Sequence, residues 1–149
     1  MTGDASNAFG LTAAIVNEFM VSQFPGSSNF CDEIGPGFAV TRIEPGTSSL
    51  RPGGIISGPS VFAACDGALY FAVFSVIGLE PMALTSEMSI RFLRPALGTE
   101  LFARAEINSV GGRTIVGTVS AWTTDAARPV AVAQGTYIRP PAGRWSPVS

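Results

Sequence analysis

One carboxylate lies inside a long apolar run of the sequence, which makes it the first candidate for chemistry. Asp66 falls within residues 59–79, a stretch of 21 residues that is otherwise almost entirely apolar. Burying a carboxylate costs free energy unless hydrogen bonds or an opposite charge compensate it. A carboxylate in such surroundings suits a general base. The alternative is a helix aspartate that bonds a loop backbone or reaches solvent at a subunit boundary.

Gly58 stands directly before this run, where a helix is expected to begin. Pro59 favours the first turn of a helix, because its missing N–H group is not needed there. The unpaired N–H groups of that turn can polarise a carbonyl oxygen, and glycine lets the oxygen approach closely. The alternative is that Gly58 only makes the turn. Ser57 is expected to be the N-cap and not a nucleophile, since no base for it can be named.

The spacing of these two candidates indicates a second subunit. Asp66 lies eight residues after Gly58, which corresponds to about 12 Å along a helix at ~1.5 Å per residue. The two residues of one chain therefore cannot act on the same carbonyl carbon, whereas a two-fold-related chain could bring its Asp66 opposite the first chain's Gly58. Only 13% of the residues are charged, which favours surface buried between subunits. We expect a homodimer or a dimer-of-dimers tetramer.

The hydrophobic pattern changes its period after the long apolar run. Apolar spacing and helix breakers predict helices over residues 11–23 and 59–77, with a candidate strand at 38–44 between them. Alternation then predicts antiparallel strands at 88–92, 101–108, 115–121 and 129–138. The expected fold class is α+β: a helix buried on all sides and an antiparallel sheet that wraps it. We expect one domain at 35–139, an N-terminal segment at 1–34 that packs on it, and a flexible tail at 140–149.

Thr85 is expected to begin the strand after the long helix. The alternation places it on the same face as Glu87, Ser89 and Arg91. Its hydroxyl could hold a water molecule or orient Asp66. An ordinary strand threonine is the alternative.

Composition excludes several classes of function. The chain has no histidine, which removes the commonest metal ligand and every mechanism based on a histidine base; we expect no metal and no cofactor. The net charge is −2 without any run of Lys or Arg, so no nucleic-acid partner is expected. Residues 1–8 do not resemble a signal peptide, and Cys31 and Cys65 are interpreted as reduced thiols. We therefore expect a cytoplasmic protein, with the run at 59–79 forming a core helix and not a membrane span.

The chain resembles the hotdog-fold thioesterases in four features. These are the order of elements, the glycine-rich turn before the helix, the aspartate inside the helix and the sequence FLRPALG at residues 92–98. The similarity covers about residues 35–139 and is greatest to the phenylacetic-acid-degradation (PaaI-type) acyl-CoA thioesterases. It implies a hotdog fold and hydrolysis of acyl-CoA thioesters. In that family two subunits build each site. The resemblance also implies catalytic roles for Asp66, Gly58 and Thr85, which match positions of the family's site.

The chain departs from this family at two positions beside the helix start. The usual His-Gly-Gly junction is Ser57-Gly58-Pro59, and a position that is commonly asparagine or histidine is Arg51. Ser57 could take part of the histidine's positioning role, and Arg51 is a candidate for substrate binding.

Two further arginines are candidates for binding coenzyme A. Arg94 and Arg113 could hold its phosphates, because arginine suits phosphate recognition. The alternative is that both are solvated surface charges.

Two other functions remain open beside the acyl-CoA thioesterase. The departures at Ser57 and Arg51 are compatible with a non-catalytic protein that binds acyl-CoA. A hotdog dehydratase is disfavoured, because that chemistry usually needs a histidine. Within the hydrolase interpretation, Asp66 could act as a base or as a nucleophile.

Overall fold

The computed structural model describes residues 9–141. Its elements in chain order are α1 (Ala13–Gln23), β1 (Phe30–Gly35), β2 (Phe38–Ile43), a 3-10 turn (Thr47–Ser49), β3 (Leu50–Arg51), β4 (Ile55–Ile56), α2 (Gly58–Ile77), β5 (Leu84–Phe92), β6 (Leu101–Val110), β7 (Thr114–Trp122) and β8 (Ala131–Ile138). Most of the tail predicted to be flexible, residues 142–149, lies outside the described residues, as do residues 1–8.

Six of the strands form one antiparallel sheet around α2. Their order is β1-β2-β6-β7-β8-β5, and every neighbouring pair is antiparallel. The two short strands β3 and β4 pair separately, just before α2. The sheet wraps the helix, so the predicted α+β hotdog fold is confirmed.

Local signals in the sequence fix both ends of α2. The Ser57 side chain accepts a hydrogen bond from the backbone N–H of Ser60 at 3.3 Å and caps the start, and Pro59 lies in the first turn as predicted. Gly78 ends the helix with φ of 88°, and its N–H bonds the Phe74 carbonyl at 2.8 Å. Such a positive φ favours glycine. The helix is therefore bounded by residues suited to its ends and not by its tertiary contacts alone.

The middle of α2 is the centre of the hydrophobic core. By length and composition the helix could cross a membrane, yet Leu69, Phe71 and Phe74 are fully buried within the fold. The prediction that α2 is buried on all sides is wrong for its first turns in the single chain. Phe62 is 37% exposed and Ala63 is also exposed, because no strand among the described residues covers that side of the helix.

Both cysteines are buried and unpaired, as their interpretation as reduced thiols requires. Burial raises the pKa of the Cys65 thiol from 9.0 to about 12, with the neighbouring Asp66 charge as a smaller cause. Burial also raises the pKa of Cys31 to about 12. Both side chains therefore pack as small neutral groups at neutral pH.

The strand β1 was not predicted from the sequence. It carries Asp32 and Glu33 in its centre, and its pairing with β2 shifts register between Cys31 and Glu33. Such a bulge places two residues of one strand opposite one residue of its partner and interrupts the alternation. The period-of-two signal is therefore lost over this strand.

Two glycines let the sheet approach α2 closely. Gly117 of β7 pairs with Gly135 of β8, and both face Leu69. A Cβ at Gly117 would lie 2.6 Å from Leu69 Cδ1 and 2.8 Å from the carbonyl oxygen of Glu106, and one at Gly135 would lie 2.9 Å from Leu69 Cδ2. A side chain at either position would push the helix from the sheet.

We expect Gly117→Ala to destabilise the protein by about 1–3 kcal/mol, the usual cost of overpacking a core. The measurement is the free energy of unfolding in urea. Gly112→Ala is the matched control, since it adds the same methyl group in the β6–β7 turn, where a Cβ would meet nothing within 4 Å. Equal stabilities of the two variants would contradict the close packing at Leu69.

Candidate functional site

Asp66 lies in the middle of α2 and is held by two hydroxyl groups. Its Oδ1 accepts hydrogen bonds from the Thr85 hydroxyl at 2.8 Å and from the Tyr137 hydroxyl at 2.7 Å. The Tyr137 hydroxyl also lies 3.2 Å from the backbone carbonyl oxygen of Asp66. The carboxylate is half-buried. Within residues 9–141 no group donates to Oδ2, and Oδ2 is not among the buried atoms without a partner, so it is accessible to a water molecule or substrate.

Thr85 reaches Asp66 because β5 contains a bulge. Thr85 pairs with Tyr137, but the register shifts before Glu87, which pairs with Thr136. The shift turns Thr85 toward the helix, on the face that Met88 shares. The prediction that Thr85 lies on the same face as Glu87, Ser89 and Arg91 is therefore wrong, since alternation does not continue across a bulge.

Tyr137 was not identified from the sequence. It lies on β8, is 3% exposed, and its ring stacks on Tyr70 with centroids 5.8 Å apart. Burial and the adjacent Asp66 charge raise the pKa of Tyr137 above its ordinary range, so it stays protonated and donates to the carboxylate. A signal was present: Tyr137 continues the core-facing series of Ala133 and Gly135, where a hydroxyl requires a buried partner.

A cavity of about 360 Å³, the Asp66 cavity, opens beside this carboxylate. Asp66, Thr85 and Tyr137 form its polar part. Most of the remaining wall is apolar and comes from α1, from α2 and from the segment that leads into β5. Its lining residues are Met20, Phe24, Ser27, Asn29, Ala63, Asp66, Gly67, Tyr70, Phe71, Pro81, Ala83, Leu84, Thr85 and Tyr137. A carboxylate thus lies on the wall of an apolar pocket of ligand size.

A second cavity of about 450 Å³, the Gly58 cavity, lies at the start of α2. Gly58, Arg51, Phe92 and Arg94 contribute to its wall. The Phe92 ring lies 3.6 Å from the position that a Cβ on Gly58 would occupy, so Gly58 packs against this ring. No residue of the described part of the chain lines both cavities. Within one chain, Gly58 and Asp66 therefore serve separate pockets.

The other predicted site residues divide into two groups. Arg51 is exposed and lies with Arg94 at the Gly58 cavity, where the Arg94 guanidinium donates to the Pro129 carbonyl oxygen. Arg113 lies apart from both cavities, next to the β6–β7 turn, and its carbonyl accepts the backbone N–H of Arg139 at 2.9 Å.

Ser57 is engaged at the helix start. Besides capping α2, its hydroxyl lies 2.9 Å from the Ser60 hydroxyl. Its expected role as the N-cap is confirmed.

Comparison with known proteins assigns these features to one family. The profile of the thioesterase superfamily matches residues 53–130, which include α2, the bulge of β5 and FLRPALG. No curated protein sequence matches the chain.

Solved structures of related proteins show the same architecture. A protein assigned as a thioesterase in Silicibacter sp. TM1040 is 28% identical, with 93% of this chain and 97% of that chain covered and a TM-score of 0.80. A mutant form of the phenylacetic acid degradation protein PaaI from Thermus thermophilus is 25% identical over 82% and 98% of the two chains, with a TM-score of 0.64. The Escherichia coli PaaI protein, 24% identical over 85% and 93%, shares the fold with a TM-score of 0.71.

The family match agrees with the carboxylate on the central helix and with the glycine at the helix start. The chain belongs to the thioesterase superfamily, in its PaaI-like branch, and the chemistry of that family is thioester hydrolysis.

Proposed function

We propose that this protein is an acyl-CoA thioesterase that hydrolyses the thioester of its substrate to a free acid and coenzyme A. The observation that carries the proposal is the position of Asp66. A carboxylate held by two hydroxyls, with one oxygen outward on the wall of an apolar cavity, is arranged to activate water next to an acyl group. The apolar lining suits the acyl part of the substrate.

The proposed reaction uses Asp66 as a general base. Oδ2 removes a proton from water as the water oxygen bonds to the thioester carbonyl carbon. The charge that develops on the carbonyl oxygen is met by the backbone N–H of Gly58, at the positive end of the α2 dipole. Collapse of this intermediate breaks the C–S bond, and the proton passes to the departing thiolate, which leaves as coenzyme A.

Two subunits are needed to bring these groups together. The strand β5 lies at the sheet edge with one side unpaired among the described strands, and it runs from one cavity to the other. Leu84 and Thr85 at its start line the Asp66 cavity, whereas Phe92 at its end lines the Gly58 cavity. Antiparallel pairing of two copies of β5 would set the start of one strand against the end of the other. Each Asp66 cavity would then face the partner's Gly58 cavity.

The surface of β5 supports such pairing. Leu84 is 48% exposed and Phe92 is 55% exposed in the single chain. An exposed edge strand with large apolar residues is otherwise prone to uncontrolled association. We therefore propose a homodimer, alone or as half of a dimer-of-dimers tetramer, as the active unit.

A second candidate function is acyl-CoA binding without catalysis. The observation in its favour is Arg51, which lines the Gly58 cavity where the resembled family commonly has asparagine or histidine. A guanidinium is suited to holding an anionic group. Release of free thiol from a panel of acyl-CoA substrates distinguishes the two functions.

Asp66→Asn is expected to lower turnover by about two to four orders of magnitude, the range for loss of a positioned base. The asparagine keeps the shape of the side chain but does not accept a proton from water. The measurement is free-thiol release from acyl-CoA, with thermal unfolding as a check on the fold. Glu18→Gln, which neutralises an exposed carboxylate on α1, is the control. Hydrolysis at the parental rate by the Asp66 variant would rule out the assigned role.

Tyr137→Phe is expected to lower kcat by about tenfold with little change in KM, because a hydrogen bond to a charged group is lost. Thr85 still holds Oδ1 in this variant, so the loss should be smaller than that of Asp66→Asn. The control is Tyr70→Phe, which removes a hydroxyl from the same cavity. That hydroxyl donates to the Pro81 carbonyl at 3.1 Å and does not bond to the carboxylate. Equal effects on kcat would show that Tyr137 does not position Asp66.

Two inactive variants should restore activity when they are mixed, if Gly58 of one chain and Asp66 of the other form one site. Gly58→Val obstructs the position of the carbonyl oxygen, and Asp66→Asn removes the base. A mixed dimer has one doubly altered site and one intact site. Random exchange makes about half of the dimers mixed, so about a quarter of the parental activity should return.

The alternative arrangement gives a different result in the same experiment. If one chain supplied both residues to each site, every site of a mixed dimer would carry one defect, and activity would stay at the level of the variants. Native mass spectrometry measures the exchange, so that lack of recovery despite exchange would refute the shared site.

A further inference from the structure

The outer wall of the Asp66 cavity is built by α1 and the residues that follow it. Met20, Phe24 and Asn29 all line the cavity from this side. The wall is anchored to the rest of the fold. The side-chain amide of Asn17 donates to the Cys31 carbonyl at 2.9 Å and accepts the Cys31 N–H at 2.8 Å. These two hydrogen bonds hold α1 against β1.

A row of three aromatic rings leads from this outer wall to the carboxylate. Phe24 meets Tyr70 edge to face with centroids 6.0 Å apart, and Tyr70 stacks on Tyr137 at 5.8 Å. The Tyr137 hydroxyl then bonds Asp66. The row gives the cavity one continuous aromatic side, with Phe24 at the outer end and Asp66 at the inner end.

The cavity is closed next to Asp66 by an amide. A Cβ at Gly67 would lie 2.8 Å from Cγ, Nδ2 and Oδ1 of Asn29. The amide plane of Asn29 thus lies flat against the helix backbone, and only a glycine allows this approach. The buried Thr41 hydroxyl donates to the Phe30 carbonyl oxygen at 2.9 Å and also lies 3.4 Å from Asn29 Oδ1. Asn29 therefore bounds the cavity on this side, and Phe24 contributes to its outer wall.

The charges of the two cavities differ in sign. Among the described residues that line its cavity, Asp66 is the only charged one. Arg51 and Arg94 line the Gly58 cavity, and no acidic residue is among its described lining. An anionic part of a substrate is repelled by the first and attracted by the second. The Asp66 cavity therefore suits an uncharged apolar group.

We infer that the acyl group of the substrate lies in the Asp66 cavity along the aromatic row, and that Phe24 sets the upper limit of its length. This inference rests on the proposed function. The volume of about 360 Å³ is near the lower end of the range of ligand pockets, roughly 300–1,000 Å³. The substrate class is thus a thioester of a short, uncharged, apolar acyl group. Acyl groups that end in a carboxylate are disfavoured, because the described residues that line this cavity include no lysine or arginine.

The test is the length dependence of two variants of the outer wall. Phe24→Ala removes the ring that ends the cavity. Val21→Ala is the matched control, because Val21 lies on the same helix, is 68% exposed and does not line the Asp66 cavity. The kcat/KM value is measured for straight-chain acyl-CoA substrates from acetyl to dodecanoyl, and for succinyl-CoA against butyryl-CoA. Thermal unfolding checks that each variant is folded.

The kcat/KM of the parent protein should fall beyond a certain chain length. Phe24→Ala should raise the ratio for decanoyl-CoA over butyryl-CoA by about tenfold, the usual effect of fitting extra methylene groups in an apolar pocket. Val21→Ala should leave the ratio at the parental value. An unchanged ratio in Phe24→Ala, an equal change in Val21→Ala, or succinyl-CoA as good a substrate as butyryl-CoA would overturn the inference.

A binding series separates this inference from the proposed function. S-alkyl-CoA thioethers are not hydrolysed, and calorimetry gives their Kd as a function of alkyl length. If no acyl-CoA releases thiol but the thioethers show a length limit that Phe24→Ala moves, the proposed hydrolysis fails and the cavity assignment stands. Absence of binding by every thioether, or a limit that Phe24→Ala does not move, overturns the assignment.

Discussion

A carboxylate on the central helix of a hydrophobic core has to be hydrogen-bonded, and much of this structure follows from how that is achieved. Asp66 is one residue from Cys65, which is fully buried, and it receives two hydroxyl donors on a single oxygen. Those donors come from adjacent strands, β5 and β8, so the sheet has to lie against α2 at the correct depth. Gly117 and Gly135 make that approach possible by leaving room for Leu69. The packing of the core and the hydrogen bonds of the carboxylate therefore depend on the same close approach of the sheet to α2.

The elements that were predicted correctly are those with strong local signals. Ser57, Pro59 and Gly78 mark the ends of α2, and the long alternations of β6 and β7 identify those strands without tertiary information. The eight-residue separation of Gly58 and Asp66 predicted that the two residues of one chain do not act on the same carbonyl carbon, and in the structure they line different cavities.

The features that were missed depend on irregular strand pairing. The bulge of β1 hides a strand that contains Asp32 and Glu33, and the bulge of β5 reverses the face of Thr85. A bulge has no reliable sequence signal, because it is defined by which residues of the partner strand are opposite. Tyr137 was missed for a related reason: its role depends on β8 lying next to β5, and a single sequence does not give the strand order of a sheet.

The same strand order underlies the proposed reaction between two subunits. Because β8 occupies one side of β5, the other side is the sheet edge, and the residues that line the two cavities lie at opposite ends of that edge. In the proposed homodimer, a two-fold axis at the middle of β5 would exchange its ends, and so would join the cavity that contains Asp66 to the cavity that contains Arg51 and Arg94. An acyl-CoA thioester is divided in the same way: an apolar acyl group lies on one side of the carbonyl and the anionic coenzyme A on the other. In the proposed dimer, charge and polarity across the interface would therefore set the orientation of such a substrate, and a single subunit would not provide this arrangement.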